Sequence, residues 1–281
     1  MLFRSAIIGA GEIGGLLAHA LARRNVAPHI LLIDDNARAA QGKALDIVQA
    51  APVEGFASHI SGTADTAAVA GASVVALADP FGAPALMGEP ALLLLKRLRQ
   101  FAPHALIVCV DGSHRELIDR GVRELRMDRT RLIGSAPEAL VAGVRALIAL
   151  ETRNLPRDVS LTAIGVPPQH IVVPWEDATI GGFGLTRMIS ESDRRRLEAR
   201  ITALWPPGPY ALAAAAAKVI EAMLKRSEAL VTCFVAPDDS SGRRLRTAIL
   251  PVRLGDTGVT EVVLPELSVR ERVQLDNAMQ L

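Results

Sequence analysis

Only two cysteines occur in the 281 residues, Cys109 and Cys233, and they lie far apart. Their scarcity excludes a disulfide framework and a paired-cysteine metal site, and it points to a reducing compartment, the cytoplasm. No run of about 18 uninterrupted apolar residues is present, so the sequence predicts no membrane span. Dense Lys/Arg blocks are also absent, and 31 basic against 30 acidic side chains leave a formal net charge of +1, which argues against a nucleic-acid partner. There is no internal repeat and no low-complexity linker. The apolar N-terminus MLFRSAIIGAGEIGGLLAHAL would make a poor signal peptide. Gly9, Gly11, Glu12, Gly14 and Gly15 interrupt it and suit a strand, a turn and a helix.

What is present is an ordinary globular composition, 50% hydrophobic and 22% charged, long enough for one large domain or two modest ones sharing a core. Residues 1–135 alternate short apolar runs with helical patterns. Strands are expected at Leu2–Ile8, His29–Asp34, Ser58–Gly62, Ser73–Ala78, Ala105–Val110 and Arg131–Gly134, with helices at Ile13–Arg24, Ala37–Ala50, Pro90–Phe101 and His114–Leu125. That rhythm calls for an α/β fold with a doubly wound parallel sheet covered on both faces. Residues 136–281 read as an α+β second domain. Helices are expected at Pro137–Glu151, Ser192–Leu204, Tyr210–Arg226 and Ser268–Met279, the last with a Ser268/Glu271 capping box. Strands are expected at Val159–Gly165, Ile171–Val173, Ala229–Ala236, Leu245–Leu254 and Val259–Leu264.

Gly9-Ala10-Gly11-Glu12-Ile13-Gly14 follows a strand and opens a helix. Gly9 would make the tight turn, Gly11 would admit a pyrophosphate to the backbone, and Gly14 would let helix and strand approach. The free N–H groups of the helix start would receive the phosphates. The next strand ends at Asp34, 20 residues after Gly14, where a carboxylate can accept from the adenosine ribose hydroxyls. Asp35 adds a second negative charge against a 2′-phosphate. The motif therefore predicts NAD(H) rather than NADP.

Gln41-Gly42-Lys43-Ala44-Leu45-Asp46-Ile47 and Pro52-Val53-Glu54-Gly55-Phe56 closely resemble the corresponding segments of lactate-dehydrogenase-type malate dehydrogenases. The likeness is strong over residues 5–56 and looser to the C-terminus. It implies a Rossmann domain, a lactate/malate dehydrogenase substrate domain, a small carboxylate as ligand, and dimers or tetramers.

The family's chemical positions are changed here. Its substrate-loop arginines correspond to Ala83 and Glu89. Its L-D-S-A-R-F-R helix reads Ala139-Leu140-Val141-Ala142-Gly143-Val144-Arg145, which replaces the paired aspartate with Leu140 and the substrate arginine with Gly143. The catalytic histidine position is Pro168, and the asparagine that follows the fourth Rossmann strand is Gly112. Loss of a general acid costs about 10²–10⁴-fold. These replacements predict a non-catalytic NAD(H)-binding relative, acting as a sensor, regulator or partner subunit. Two alternatives stand beside it. One is an active NAD-dependent oxidoreductase on malate/oxaloacetate or another 2-hydroxy acid with a remodelled site; the other is a structural partner without ligand.

For a remodelled site the candidates are His170, Asp111 and Arg145, with Asp111 or Glu138 orienting His170. His114 and Arg115 read as solvated first-turn residues near the ligand edge, Trp175 as packing, and Arg194-Arg195-Arg196 as a solvated face. The Ala211–Ala217 run suits close helix packing, including a subunit contact.

Overall fold

The computed structural model describes residues 4–225, 227, 229–238 and 246–280. The first half contains β1 (Arg4–Ile8), α1 (Glu12–Arg23), β2 (His29–Ile33), α2 (Ala37–Glu54), β3 (His59–Thr63), β4 (Val74–Leu77), α3 (Gly88–Phe101), β5 (Leu106–Cys109), α4 (Arg115–Leu125) and β6 (Leu132–Gly134). These strands pair in parallel in the order β3-β2-β1-β4-β5-β6. Strands β4 and β5 are buried along their whole length, as unbroken Val/Ile/Leu runs require when helices cover both sheet faces. The order reverses at β1, so a crevice opens between the carboxyl ends of β1 and β4, where ligands bind in such sheets.

The expected doubly wound fold is therefore present. The expected helix Ala37–Ala50 runs four residues further, to Glu54. Pro52 lies in its last turn, where the helix is already ending, and the Gly55 N–H closes the turn on the Ala51 carbonyl. Residues 2, 3, 226 and 245 of the expected elements lie outside the described residues.

The second half contains α5 (Ala136–Thr152), β7 (Val159–Ser160), β8 (Ile164–Val166), β9 (His170–Val172), β10 (Thr179–Ile180), β11 (Phe183–Gly184), α6 (Glu191–Ile201), α7 (Pro209–Leu224), β12 (Leu230–Val235), β13 (Ala248–Gly255), β14 (Gly258–Val262) and α8 (Val269–Gln280). Its strands do not gather apart from the parallel sheet, as their spacing in the sequence suggests. Instead β12 pairs antiparallel with β6 at Phe234 and Gly134, and β13, β8 and β9 continue the same sheet. The single strand expected over Val159–Gly165 divides: β7 joins a small sheet with β10 and β11, and β8 joins the large one. The capping box of α8 forms, with the Ser268 N–H on the Glu271 carboxylate at 2.9 Å and the Glu271 N–H on Ser268 Oγ at 3.3 Å.

The alanine-rich helix is used inside the chain. Ala213, Ala216, Ala217, Val219 and Ile220 are buried, and α7 packs on α1 and α5. Small side chains let these helices approach closely, and each buried Val or Ile contributes about 1.5–3 kcal/mol. Arg24 reaches Glu221 at 3.3 Å and ties the end of α1 to α7. Trp175 belongs to the core. Arg194, Arg195 and Arg196 form the solvated face expected, paired with Glu198, Glu191 and Glu151.

Candidate cofactor cradle and substrate cleft

Gly9 leaves β1 with φ +103, a left-handed conformation that glycine adopts without strain, and its N–H bonds the Ile33 carbonyl at 2.7 Å. This turn aims the start of α1 at the crevice. A Cβ on Gly14 would lie 2.0 Å from the Gly9 carbonyl oxygen, so the helix can seat against the strand only with glycine there. Lys43 of α2 donates to the Gly11 carbonyl at 2.6 Å.

The amides at the start of α1 hold an anion, and the anion is the chain's own. Asp79, just past β4, accepts from the Glu12 N–H at 2.8 Å and the Gly14 N–H at 3.0 Å, while its carbonyl receives the Gly11 N–H at 2.9 Å. Gly11 is required by this approach, because a Cβ there would fall 2.2 Å from the Asp79 carboxylate. These are the groups that the glycine motif offers to a pyrophosphate, so the cradle suits an oxyanion once Asp79 has moved off it. The role of Asp79 carried no signal in the sequence.

Asp34 ends β2 as expected and is buried, 6% exposed. One carboxylate oxygen accepts from the N–H groups of Ala10 and Phe81, both at 2.8 Å; the other accepts from Asn36 at 2.9 Å. Asp35 is exposed and lines, with Asp34, Leu77, Leu86 and His114, a cavity of about 260 Å³ beside the turn.

His114 departs from its expected place. It is 1% exposed, lies on the cavity wall, and has neither ring nitrogen in good hydrogen-bond geometry. Burial pushes its pKa down, against weaker upward pulls from Asp111 and the Leu86 backbone, so the imidazole is neutral at pH 7. In the unfolded chain the same ring takes a proton near pH 6.5. The unfolded state then binds more protons than the folded one, so stability falls as pH drops below about 6.5. Thermal melts between pH 7.5 and 5 should show that fall in the native protein and a shallower one in His114→Phe. Parallel curves would exclude His114 as the source.

A second cleft lies on the other side of the Asp79 loop. Glu12, Asp79, Asp111, Ser113, Trp205 and Pro206 are among its lining residues. Asp111 accepts from the Ser113 N–H at 2.8 Å and from Ser113 Oγ at 2.7 Å, which fixes the hydroxyl on the cleft wall. Trp205 explains Gly112: a Cβ there would meet the indole at 2.8 Å, so the ring occupies the space an asparagine side chain would need. The indole packs edge-on against Phe234, ring centroids 5.7 Å apart.

Of the three candidates for remodelled chemistry, Asp111 alone lines this cleft. His170 is exposed at the start of β9, opposite Val166. The two-residue offset from Pro168 carries it along an edge strand rather than into the cleft. Arg145 is half-buried on α5 and reaches the Leu161 carbonyl at 3.4 Å. Glu138 does not serve as an orienting partner, being 3% exposed and held by Lys218 Nζ and the Thr232 N–H. Glu89 points to α4, where Arg120 pairs with it at 2.6 Å. Both thiols are buried, with Cys109 and Cys233 pushed well up by desolvation, so neither is a nucleophile.

Residues 3–97 match the family model described as lactate/malate dehydrogenase, NAD binding domain. The malate dehydrogenase of Thermomicrobium roseum is 28% identical over 96% of this chain and 93% of its own length, and that of Rhodopirellula baltica is 27% identical over 97% and 93%. The chain is thus similar to lactate/malate dehydrogenases along nearly its whole length. Among solved structures, malate dehydrogenase from Salinibacter ruber superposes with a TM-score of 0.87 at 24% identity, covering 98% of this chain and 94% of that one. The Cryptosporidium parvum lactate dehydrogenase, solved with lactic acid and nicotinamide adenine dinucleotide, gives 0.88 at 23% identity, covering 99% and 95%. Both show the shared fold. The family match also bears out NAD as the cofactor read from the glycine turn.

These matches correct the expectation of a non-catalytic sensor, regulator or partner. Curated relatives that align with this chain nearly end to end are malate dehydrogenases, which favours an enzyme. The expectation rested on six replaced positions and ranked the remodelled-site alternative, with His170, Asp111 and Arg145 as candidates, second.

Proposed function

We propose that the protein is an NAD(H)-dependent oxidoreductase that interconverts a 2-hydroxy acid, with malate/oxaloacetate the leading pair, and the matching keto acid at a remodelled site. The observation that carries this reading is the end-to-end likeness to malate dehydrogenases combined with an anion-holding glycine turn. In this reading Gly9, Gly11, Glu12, Ile13 and Gly14 form the pyrophosphate seat, and Asp34 and Asp35 face the adenosine ribose. The dinucleotide, when bound, supplies or accepts the hydride. Trp205 and Pro206 wall the cleft against water, and Asp111 holds the Ser113 hydroxyl where it can exchange a proton with the substrate oxygen.

With Ala83, Glu89 and Gly143 at the family's arginine positions, neutral donors must hold the substrate carboxylate. Discrimination between an acid and its uncharged amide should then be weak, because a guanidinium clamp is what makes that choice steep. NADH oxidation followed at 340 nm with oxaloacetate, pyruvate and pyruvamide tests the reading. Turnover with at least one acid is expected, with Ser113→Ala reducing kcat about tenfold or more. Saturating NADH with no oxidation by any of the three would overturn it.

A homo-oligomer fits the same reading, since α2 leaves Leu45, Val48 and Val53 exposed. Light scattering of the purified protein measures its size directly. Two unpaired buried thiols accord with a cytoplasmic setting.

A further inference from the structure

Resting on the reading that NAD(H) is the cofactor, we infer that the segment Asp79–Phe81 is an internal competitor of the dinucleotide, so the cofactor binds only as this loop lets go.

The loop reproduces both halves of what it excludes. Its Asp79 carboxylate lies on the Glu12 and Gly14 N–H groups, the seat of a pyrophosphate. Two residues on, the Phe81 N–H donates to Asp34 Oδ2 at 2.8 Å, as a ribose hydroxyl would. The two contacts are independent and sit at opposite ends of one short segment. Neither can persist with a dinucleotide in place: Asp79 would face the phosphates with like charge at under van der Waals distance. Lys43, which lines the same groove as Asp79 and Gly11, remains to face the phosphates once the loop has left. The adenosine cavity beside Asp35, Leu86 and His114 stays open with the loop in place. A phosphate-free nucleoside meets only the Phe81 contact on Asp34 and can dock without displacing Asp79, while any ligand carrying the diphosphate cannot. Asp79 thus sets affinity and selects between nucleoside and dinucleotide; it is not a catalytic residue.

Calorimetric titration of the wild type and of Asp79→Ala with adenosine and with ADP-ribose tests this. Removing the carboxylate should tighten ADP-ribose binding by about tenfold or more, equivalent to about 1.4 kcal/mol per factor of ten. Adenosine affinity should change less than threefold. Asp79→Asn, which keeps shape and loses charge, should fall between. A measurement on the wild type alone stands behind these variants. The observed association rate for ADP-ribose should level off at high ligand, at the rate of loop release, whereas that for adenosine should rise linearly. Equal or weaker ADP-ribose affinity in Asp79→Ala, or a linear rise for ADP-ribose, would overturn the inference while leaving the cofactor reading intact. If neither protein bound ADP-ribose or NADH at millimolar concentration, the cofactor reading itself would fall and this inference with it.

Discussion

Replacing Asp34 with alanine should lower the unfolding free energy by about 3 kcal/mol and weaken NADH binding at the same time. One buried carboxylate satisfies three backbone N–H groups, those of Ala10, Asn36 and Phe81. Truncation strands all three. Each buried donor left without an acceptor costs about 1–3 kcal/mol, and those near the surface recover part of that through water. The sum is therefore near the bottom of the range of about 3–9 kcal/mol that three fully buried donors would span. Asp34→Asn, which keeps one acceptor oxygen, should lose about half as much. Urea denaturation of the three proteins measures this; a loss below 1 kcal/mol in the alanine variant would mean that the carboxylate serves the ligand only. The same variant frees Phe81, so the loop over the cradle should exchange its amides with solvent faster.

A comparable loss is expected from Lys218→Met. Glu138 is almost fully enclosed between α5, α7 and β12, and its charge is balanced by Lys218 on one oxygen and the Thr232 N–H at 2.8 Å on the other. Removing the lysine leaves a buried carboxylate with one neutral donor, which costs about 3 kcal/mol or more. Replacing both members of the pair, Glu138→Leu with Lys218→Met, should recover only part of that, because the apolar pair needs no charge balance but leaves the buried Thr232 N–H without its acceptor. The double-mutant cycle reads the coupling directly. Additive losses would show that the pair contributes nothing as a pair.

How much of this was legible beforehand follows the distance over which each feature is encoded. The strands and helices of residues 4–134 were readable because each is written in a local run or period, and the glycine turn and Asp34 because their spacing within one βαβ unit is fixed. The joining of the two halves was not. Phe234 meets Gly134 across 100 residues, and no local pattern encodes that pairing. Asp79 was invisible for the same reason, lying 65 residues from the Gly14 amide it occupies. His114 stands at the start of a helix, where polar residues are commonly wet, and its burial beside Leu86, distant in sequence, has no local signal. Glu138 looked available as a catalytic partner because nothing near it in sequence foretells Lys218, 80 residues on. Position-by-position comparison read six changed positions as a loss of catalysis, a reading that the malate dehydrogenase relatives disfavour. Nor could it see that the Trp205 indole stands against Gly112, because the two are far apart in the sequence.

The uninterrupted sheet has one more consequence. Because hydrogen-bonded strands run from β3 through β6 and β12 to β9, the parallel half and the antiparallel half belong to one sheet. One residue pair, Phe234 and Gly134, joins β12 to β6, so a larger residue at Gly134, whose Cβ would lie 3.0 Å from Phe234, should disturb both halves at once.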